Sequence, residues 1–248
     1  MPFVTHRNQR IHYTVRGAGP LVVLQHGLLW NAGSWVQGGF VEALSACFRV
    51  ACVDSLGHGL SDKPADAALY GQAQRAGDLV AVMDDLDYAR AHVVGYSMGG
   101  WVAVGMARHY PERLSSLVVG GWDLVDGLPP GPTGPLKFDQ FMGYVRRVAP
   151  QEAAWVSPEF EAGVRACFDA LSERDGAAEA VREVKVPVLI WTGQDDPYHA
   201  PMQAFAQAAG LPFLSTPGGH ASAVLQPDAQ TLEQLRAFFE AAPPTDPR

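Results

Sequence analysis

Nine residues constrain this chain more than any others: Val93-Val94-Gly95-Tyr96-Ser97-Met98-Gly99-Gly100-Trp101. An apolar, β-branched run ends in Gly-x-Ser-x-Gly, and a helix-forming segment from Trp101 to Ala107 follows at once. The order is strand, sharp turn, helix. A serine at the apex of such a turn takes an unusual backbone conformation, and its flanks pass so close that side chains two residues either side would collide. Glycine at 95 and 99 removes that collision. The turn exposes the Ser97 hydroxyl near a helix N-terminus, where backbone N–H groups and the positive end of the dipole favour a developing negative charge. The spacing predicts a nucleophile at Ser97.

The rest of the chain repeats the alternation. Residues 3–7 and 10–16 read as a hairpin turning at Asn8-Gln9, and Leu21 to Gln25 is a continuous apolar run of the kind covered on both faces, ending at His26-Gly27. A helix is expected from Ser34, as N-cap, to about Ala46. Arg49 to Val53 is another buried strand, and Leu79, Val82, Met83 and Leu86 recur at helical spacing within 72–87. Further apolar strands read at 117–121 and 186–192, with a short one at 212–216. The expectation is a mostly parallel twisted sheet of about eight strands with helices on both faces. In such sheets chemistry collects past the carboxyl ends of the strands, where His26, Asp54, Ser97, Trp122 and Asp196 all fall. Between Trp122 and Lys185 the alternation stops. Four prolines and three amphipathic segments, at roughly 137–148, 158–171 and 173–183, read as a helical lid over residues 123–184 within one domain spanning 1–248. The tail from Ala242 to Arg248 reads as frayed.

With 48% apolar and 18% charged residues, the chain can bury one substantial core. A net charge of -8 argues against nucleic-acid and anionic membrane partners, which need clustered Lys and Arg, and weakly disfavours strongly anionic substrates. Cys47, Cys52 and Cys167 are odd in number and set in apolar segments, so buried thiols in a reducing compartment are expected. The polar start and the lack of a bilayer-spanning run predict a cytoplasmic protein. Oligomeric state is not legible.

A serine needs a general base, and the base needs a partner that fixes its tautomer. Histidines at 6, 12, 26, 58, 92, 109, 199 and 220 compete. His220 stands out because it follows Gly218-Gly219 after a late strand, whereas His6, His12, His92 and His109 read as surface or packing residues. Thr192-Gly193-Gln194-Asp195-Asp196-Pro197 supplies two candidate carboxylates. No Glu or His at ligand spacing joins them, so neither a metal nor another cofactor is expected. A tetrahedral intermediate carries a full negative charge, and each preorganised donor aimed at it is worth about 3–4 kcal/mol in the barrier. The backbone N–H groups of Met98 and Leu28 are the candidates. Leu29, Trp30, Met98 and Trp122 cluster near the strand ends as a candidate apolar pocket, with Phe138, Phe141, Met142 and Trp155 of the lid closing it.

Along nearly its whole length the chain resembles the α/β-hydrolase superfamily. The chain order Ser97, Asp, His220 matches that resemblance. It points to Asp196, three residues after Gly193 and followed by Pro197, as the acid with Asp195 second. Pro227 stands seven residues after His220 as in many members. His26-Gly27-Leu28 resembles the oxyanion-hole loop, without the Gly-Gly-Gly of the branch resembling hormone-sensitive lipase. Asp54 to Pro64 resembles the Asp-x-x-Gly-x-Gly-x-Ser turn, with His26 and His58 structural. A serine at 97 is unlike the dehalogenase and epoxide-hydrolase branches, which carry aspartate there. The resemblance to small esterases, enol-lactonases and perhydrolases implies hydrolysis of a small to medium, fairly apolar carboxylic ester or lactone through an acyl-enzyme. Carbon–carbon bond hydrolysis, thioester hydrolysis, perhydrolysis and a ligand receptor with vestigial activity are the alternatives.

Overall fold

The computed structural model describes residues 2–132 and 134–243. Most of the tail expected to fray, 244–248, lies outside the described residues.

The chain runs β1 (Phe3–His6), β2 (Gln9–Arg16), β3 (Leu21–Gln25), α1 (Gly33–Gln37), α2 (Phe40–Leu44), β4 (Arg49–Val53), α3 (Gln72–Asp85), β5 (Ala91–Tyr96), α4 (Met98–His109) and β6 (Leu114–Gly120). A two-residue ribbon follows, β7 (Pro130–Gly131) with β8 (Gly134–Pro135). Four helices come next: α5 (Phe138–Val148), α6 (Pro150–Ala153), α7 (Pro158–Ala170) and α8 (Ala177–Glu183). The alternation resumes with β9 (Val188–Gly193), α9 (His199–Ala209), β10 (Phe213–Thr216), α10 (Ser222–Leu225) and α11 (Ala229–Glu240).

Eight strands form one sheet in the order β1-β2-β4-β3-β5-β6-β9-β10. β2 pairs antiparallel with β1 and with β4, and every other neighbour pair is parallel. The continuous apolar runs serve both faces by alternation. Leu21, Val23, Val93, Leu117 and Val119 join Leu79, Trp101 and Met106 on one side. Val22, Leu24, Val94 and Val118 join Trp35, Phe40, Trp191 and Phe239 on the other. A third apolar cluster joins the helical excursion to the loop after β3 and contains Leu29, Phe138, Met142, Val164 and Phe168. No described helix is long and apolar enough to cross a membrane.

Several local expectations are corrected. The hairpin turns at Arg7-Asn8, both with positive φ (50° and 59°), so β2 starts one residue earlier than expected. The helix expected from Ser34 to Ala46 is two short helices. Gly38 and Gly39 break it, Gly39 at φ +76°, where a Cβ on Gly38 would overlap the Val224 carbonyl oxygen. Ser34 lies inside α1, its hydroxyl on the Asn31 carbonyl, and the cap position falls to Ala32. The last excursion helix starts at Ala177, after Gly176 at φ +73°, and α6 was not anticipated. Cys47 is exposed, unlike Cys52 and Cys167, because it sits in the turn that follows α2.

Three histidines are buried without a carboxylate partner among the described residues: His26, His58 and His92. Burial lowers His26 and His92 from the ordinary 6.5 to about 4, and pushes His58 well below it. The unfolded chain thus takes up protons from about pH 6.5 downward that the folded chain refuses until near pH 4. Stability is fully present above that window and is lost as pH falls through it, by up to about 1.4 kcal/mol per pH unit for each such group. Urea unfolding midpoints should be level from pH 8 to 7 and drop steadily from 6.5 to 4.5. A level midpoint throughout would show that these rings are not held neutral.

Candidate active site

Ser97 joins β5 directly to α4 and has φ 59° and ψ -122°, a region that costs a non-glycine residue about 1–3 kcal/mol. Its surroundings hold it there. The Ser97 N–H donates to the Gly120 carbonyl of the neighbouring strand at 2.8 Å, and the Trp101 N–H returns to the Ser97 carbonyl at 3.1 Å. A Cβ at Gly95 would overlap the Gly99 carbonyl, and one at Gly99 would overlap the Gln25 carbonyl at the end of β3. The helix therefore starts in contact with the sheet.

The loop after β3 lies alongside because β3 and β5 are neighbours. Neither the Leu28 nor the Met98 N–H has a backbone partner among the described residues. His26 supports the loop from beneath: its Nε2 accepts the Ser55 N–H at 3.0 Å, and its Nδ1 is 2.8 Å from the Gly27 carbonyl it donates to. Burial keeps this ring neutral, as one accepting and one donating nitrogen require. Asp54 organises the other side. Its carboxylate accepts the Ala32 N–H at 2.7 Å, the Leu60 N–H at 2.8 Å and His12 Nδ1–H at 2.7 Å. His58 packs between the His26 ring and the edge of Trp155, 5.4 Å from each.

Asp196 and His220 meet at the ends of β9 and β10. The Gln194 N–H donates to Thr216 O at 2.8 Å and the Asp195 N–H to Gly218 O at 3.0 Å, which continues the strand pairing and carries the His220 loop alongside. His220 Nδ1–H donates to Asp196 Oδ2 at 2.7 Å. The same oxygen accepts Thr192 Oγ1–H at 2.9 Å and Tyr96 Oη–H at 3.1 Å, while Oδ1 accepts the Tyr198 N–H at 2.9 Å. Burial pushes the Asp196 carboxyl up, but the His220 contact and the other donors outweigh it and hold it below the usual range. The neighbouring Asp195 is exposed and does not reach His220.

Ser97 and His220 line one cavity of about 440 Å³. No hydrogen bond joins the serine hydroxyl to the imidazole among the described residues, and such contacts are commonly long in empty sites. Leu28, Leu29, Trp30, Trp122 and Phe141 line this cavity with them. Phe138, Met142 and Trp155 do not. Phe138 packs on Phe168, with ring centroids 5.8 Å apart, and Met142, one turn on, is buried in the same cluster, so this stripe of α5 serves helix packing. Phe141 and Tyr144, offset from that stripe, reach the cavity instead. Trp155 lies outside, its indole N–H on the Leu29 carbonyl at 2.9 Å. The Met98 side chain is also turned away, its sulfur 3.3 Å from Nη2 of the buried Arg75. Among the described residues no cluster of three potential metal ligands occurs.

Tyr96, Thr192, Tyr198, Arg75 and Glu152 escaped the sequence reading. Tyr96 and Thr192 read as strand, Arg75 falls within the helical spacing of 72–87, and Glu152 lies between the helices expected at 137–148 and 158–171. Only the place of Tyr198 just past Asp196 offered a signal.

A family model described as alpha/beta hydrolase fold matches residues 20–154. The putative carbamate hydrolase RutD of Azorhizobium caulinodans is 27% identical over 256 residues, covering 92% of this chain and 94% of the relative. A 113-residue stretch, 44% of this chain, is 34% identical to 40% of the putative 2-succinyl-6-hydroxy-2,4-cyclohexadiene-1-carboxylate synthase of Bacillus subtilis (strain 168). Among solved structures, the enol-lactonase from Burkholderia xenovorans LB400 superposes with a TM-score of 0.75 at 25% identity, over 96% of this chain and 100% of that one.

The close approach at Gly99 makes a direct prediction. Gly99→Ala should lower stability by at least about 2 kcal/mol in denaturant unfolding, because backbone must move. Gly143→Ala, on α5 where a Cβ meets nothing within 4 Å, should be neutral or stabilising by about 0.5–1 kcal/mol. Equal effects would refute the steric account.

Proposed function

We propose that this chain, which belongs to the alpha/beta hydrolase fold family, is a serine hydrolase that cleaves a carboxylic ester or lactone through an acyl-enzyme on Ser97. The observation that carries this reading is the joint placement of a strained Ser97, two amides without backbone partners and the Asp196–His220 pair around one apolar cavity. In this reading His220 Nε2 takes the serine proton as Oγ attacks the carbonyl carbon. Asp196 stays ionised and orients the imidazolium that forms. The Leu28 and Met98 amides hold the oxyanion. His220 then protonates the leaving oxygen, and water, activated by the same ring, releases the acid.

Residues 123–184 act as the lid of this site, with Phe141 and Tyr144 of α5 over the cavity. The cavity suits a small to medium acyl or alcohol group. Its wall is almost wholly apolar, and among the described residues no lysine or arginine lines it, so a substrate carboxylate would find no counter-ion. Hydrolase names among the relatives support the class of reaction, not the substrate.

A fluorophosphonate probe should label the parent protein and leave Ser97→Ala unlabelled. Asp196→Asn should fold normally and lose roughly 10³–10⁴-fold in kcat on p-nitrophenyl esters, through loss of the correct tautomer. A parent protein that takes no label and turns over no ester or lactone in a panel would overturn the proposal.

A further inference from the structure

The cavity beside Ser97 has one charged wall. Glu152, on the short helix α6, is the one carboxylate that lines it among the described residues. Its Oε2 accepts the Trp30 indole N–H at 2.9 Å, and its Oε1 has no hydrogen-bond partner there. Of the nearby cations, Arg165 pairs with Asp139 and Glu161, Arg146 with Glu161, and Arg147 lies over the Tyr144 ring. Glu152 is therefore a half-buried carboxylate with no ion-pair partner among the described residues, its free oxygen open to solvent where this apolar cavity meets a groove lined by Asn31, Gln37 and Trp155.

Holding the indole does not require a charge, since a neutral amide oxygen would accept the same N–H. The second oxygen stays open to solvent and free to meet a positively charged ligand. The remaining wall is suited to one kind of counter-ion. Trp30, Trp122, Phe141, Phe168 and Tyr198 surround the same space, and Tyr144 stands at its rim, exposed and already under the Arg147 guanidinium. Aromatic faces attract a positive nitrogen, most strongly where water is excluded, and an adjacent carboxylate adds to that attraction. An anionic group would meet Glu152 with nothing to offset it, and an uncharged hydrocarbon would gain nothing from the charge.

We propose that this cavity accepts a substrate bearing a positively charged nitrogen, an ammonium carried on an otherwise apolar ester, and that Glu152 is the residue that selects it. The word ester rests on the reading of Ser97 given above; the recognition of the cation does not.

Choline and 3,3-dimethylbutan-1-ol differ only in nitrogen for carbon and in charge, so they isolate the effect. Tryptophan fluorescence titrations of the full chain at constant ionic strength should show choline binding about ten-fold or more tightly than the alcohol. Glu152→Gln keeps an acceptor for Trp30 and removes the charge. It should shrink that ratio about ten-fold, whereas a general loosening of the cavity would weaken both ligands and leave the ratio alone. The matching esters, butyrylcholine and 3,3-dimethylbutyl butyrate, should show the same ratio in kcat/KM, carried mainly by KM. Equal or tighter binding of the alcohol, or a ratio that Glu152→Gln does not change, would overturn the proposal. Choline bound through Glu152 in a protein that takes no fluorophosphonate label and turns over no ester or lactone would uphold the cation site and refute the catalytic reading.

Discussion

Everything at the rim of this sheet depends on how tightly α4 is pressed against the ends of β3 and β5. The helix begins where its backbone touches the Gln25 carbonyl, a separation that only glycine at 99 permits. Ser97 occupies the one residue left to reverse the chain, and its positive φ is the cost of that reversal. Because the sheet is parallel at this point, β3 and β6 end beside the same turn and bring the His26 and Gly120 segments with them. The position of the serine, of the helix N-terminus and of the flanking loops is thus a single geometric fact.

That fact was legible because it is local. Gly95, Ser97 and Gly99 lie within five residues, so sterics alone read them, and the continuous apolar runs announced strands covered on both faces. What escaped depends on distant partners. The break between α1 and α2 follows from the Val224 carbonyl lying against Gly38, almost two hundred residues on. Phe141 and Phe138 are equally apolar in sequence, and only the packing of α5 on α7 decides which of them faces the cavity. Thr192 and Tyr96 belong to buried strands whose pattern speaks of core, yet their hydroxyls converge on Asp196. Long-range polar convergence leaves no periodicity to read.

The polar groups beneath the site divide into two kinds. Asp196 accepts four hydrogen bonds and is held ionised by them. His26 and His58, behind the loop after β3, are kept neutral by burial, with Arg75 close by on Ser55 and Met98. The first arrangement fixes a charge where an imidazole needs orienting; the second supplies rigid support without placing another titrating group near the serine.

Two indole bonds, Trp30 to Glu152 and Trp155 to the Leu29 carbonyl, fasten the segment around α6 to the loop that carries Leu28. Displacing α6 breaks these bonds and frees the backbone next to one of the two amides without partners. Coupling of this kind is reciprocal. A ligand that draws α6 inward narrows the conformations of residues 28–31, and ordering those residues favours α6 in place. The position of α6 and the order of residues 28–31 are therefore linked through two indole bonds, across the cavity that Ser97 also lines.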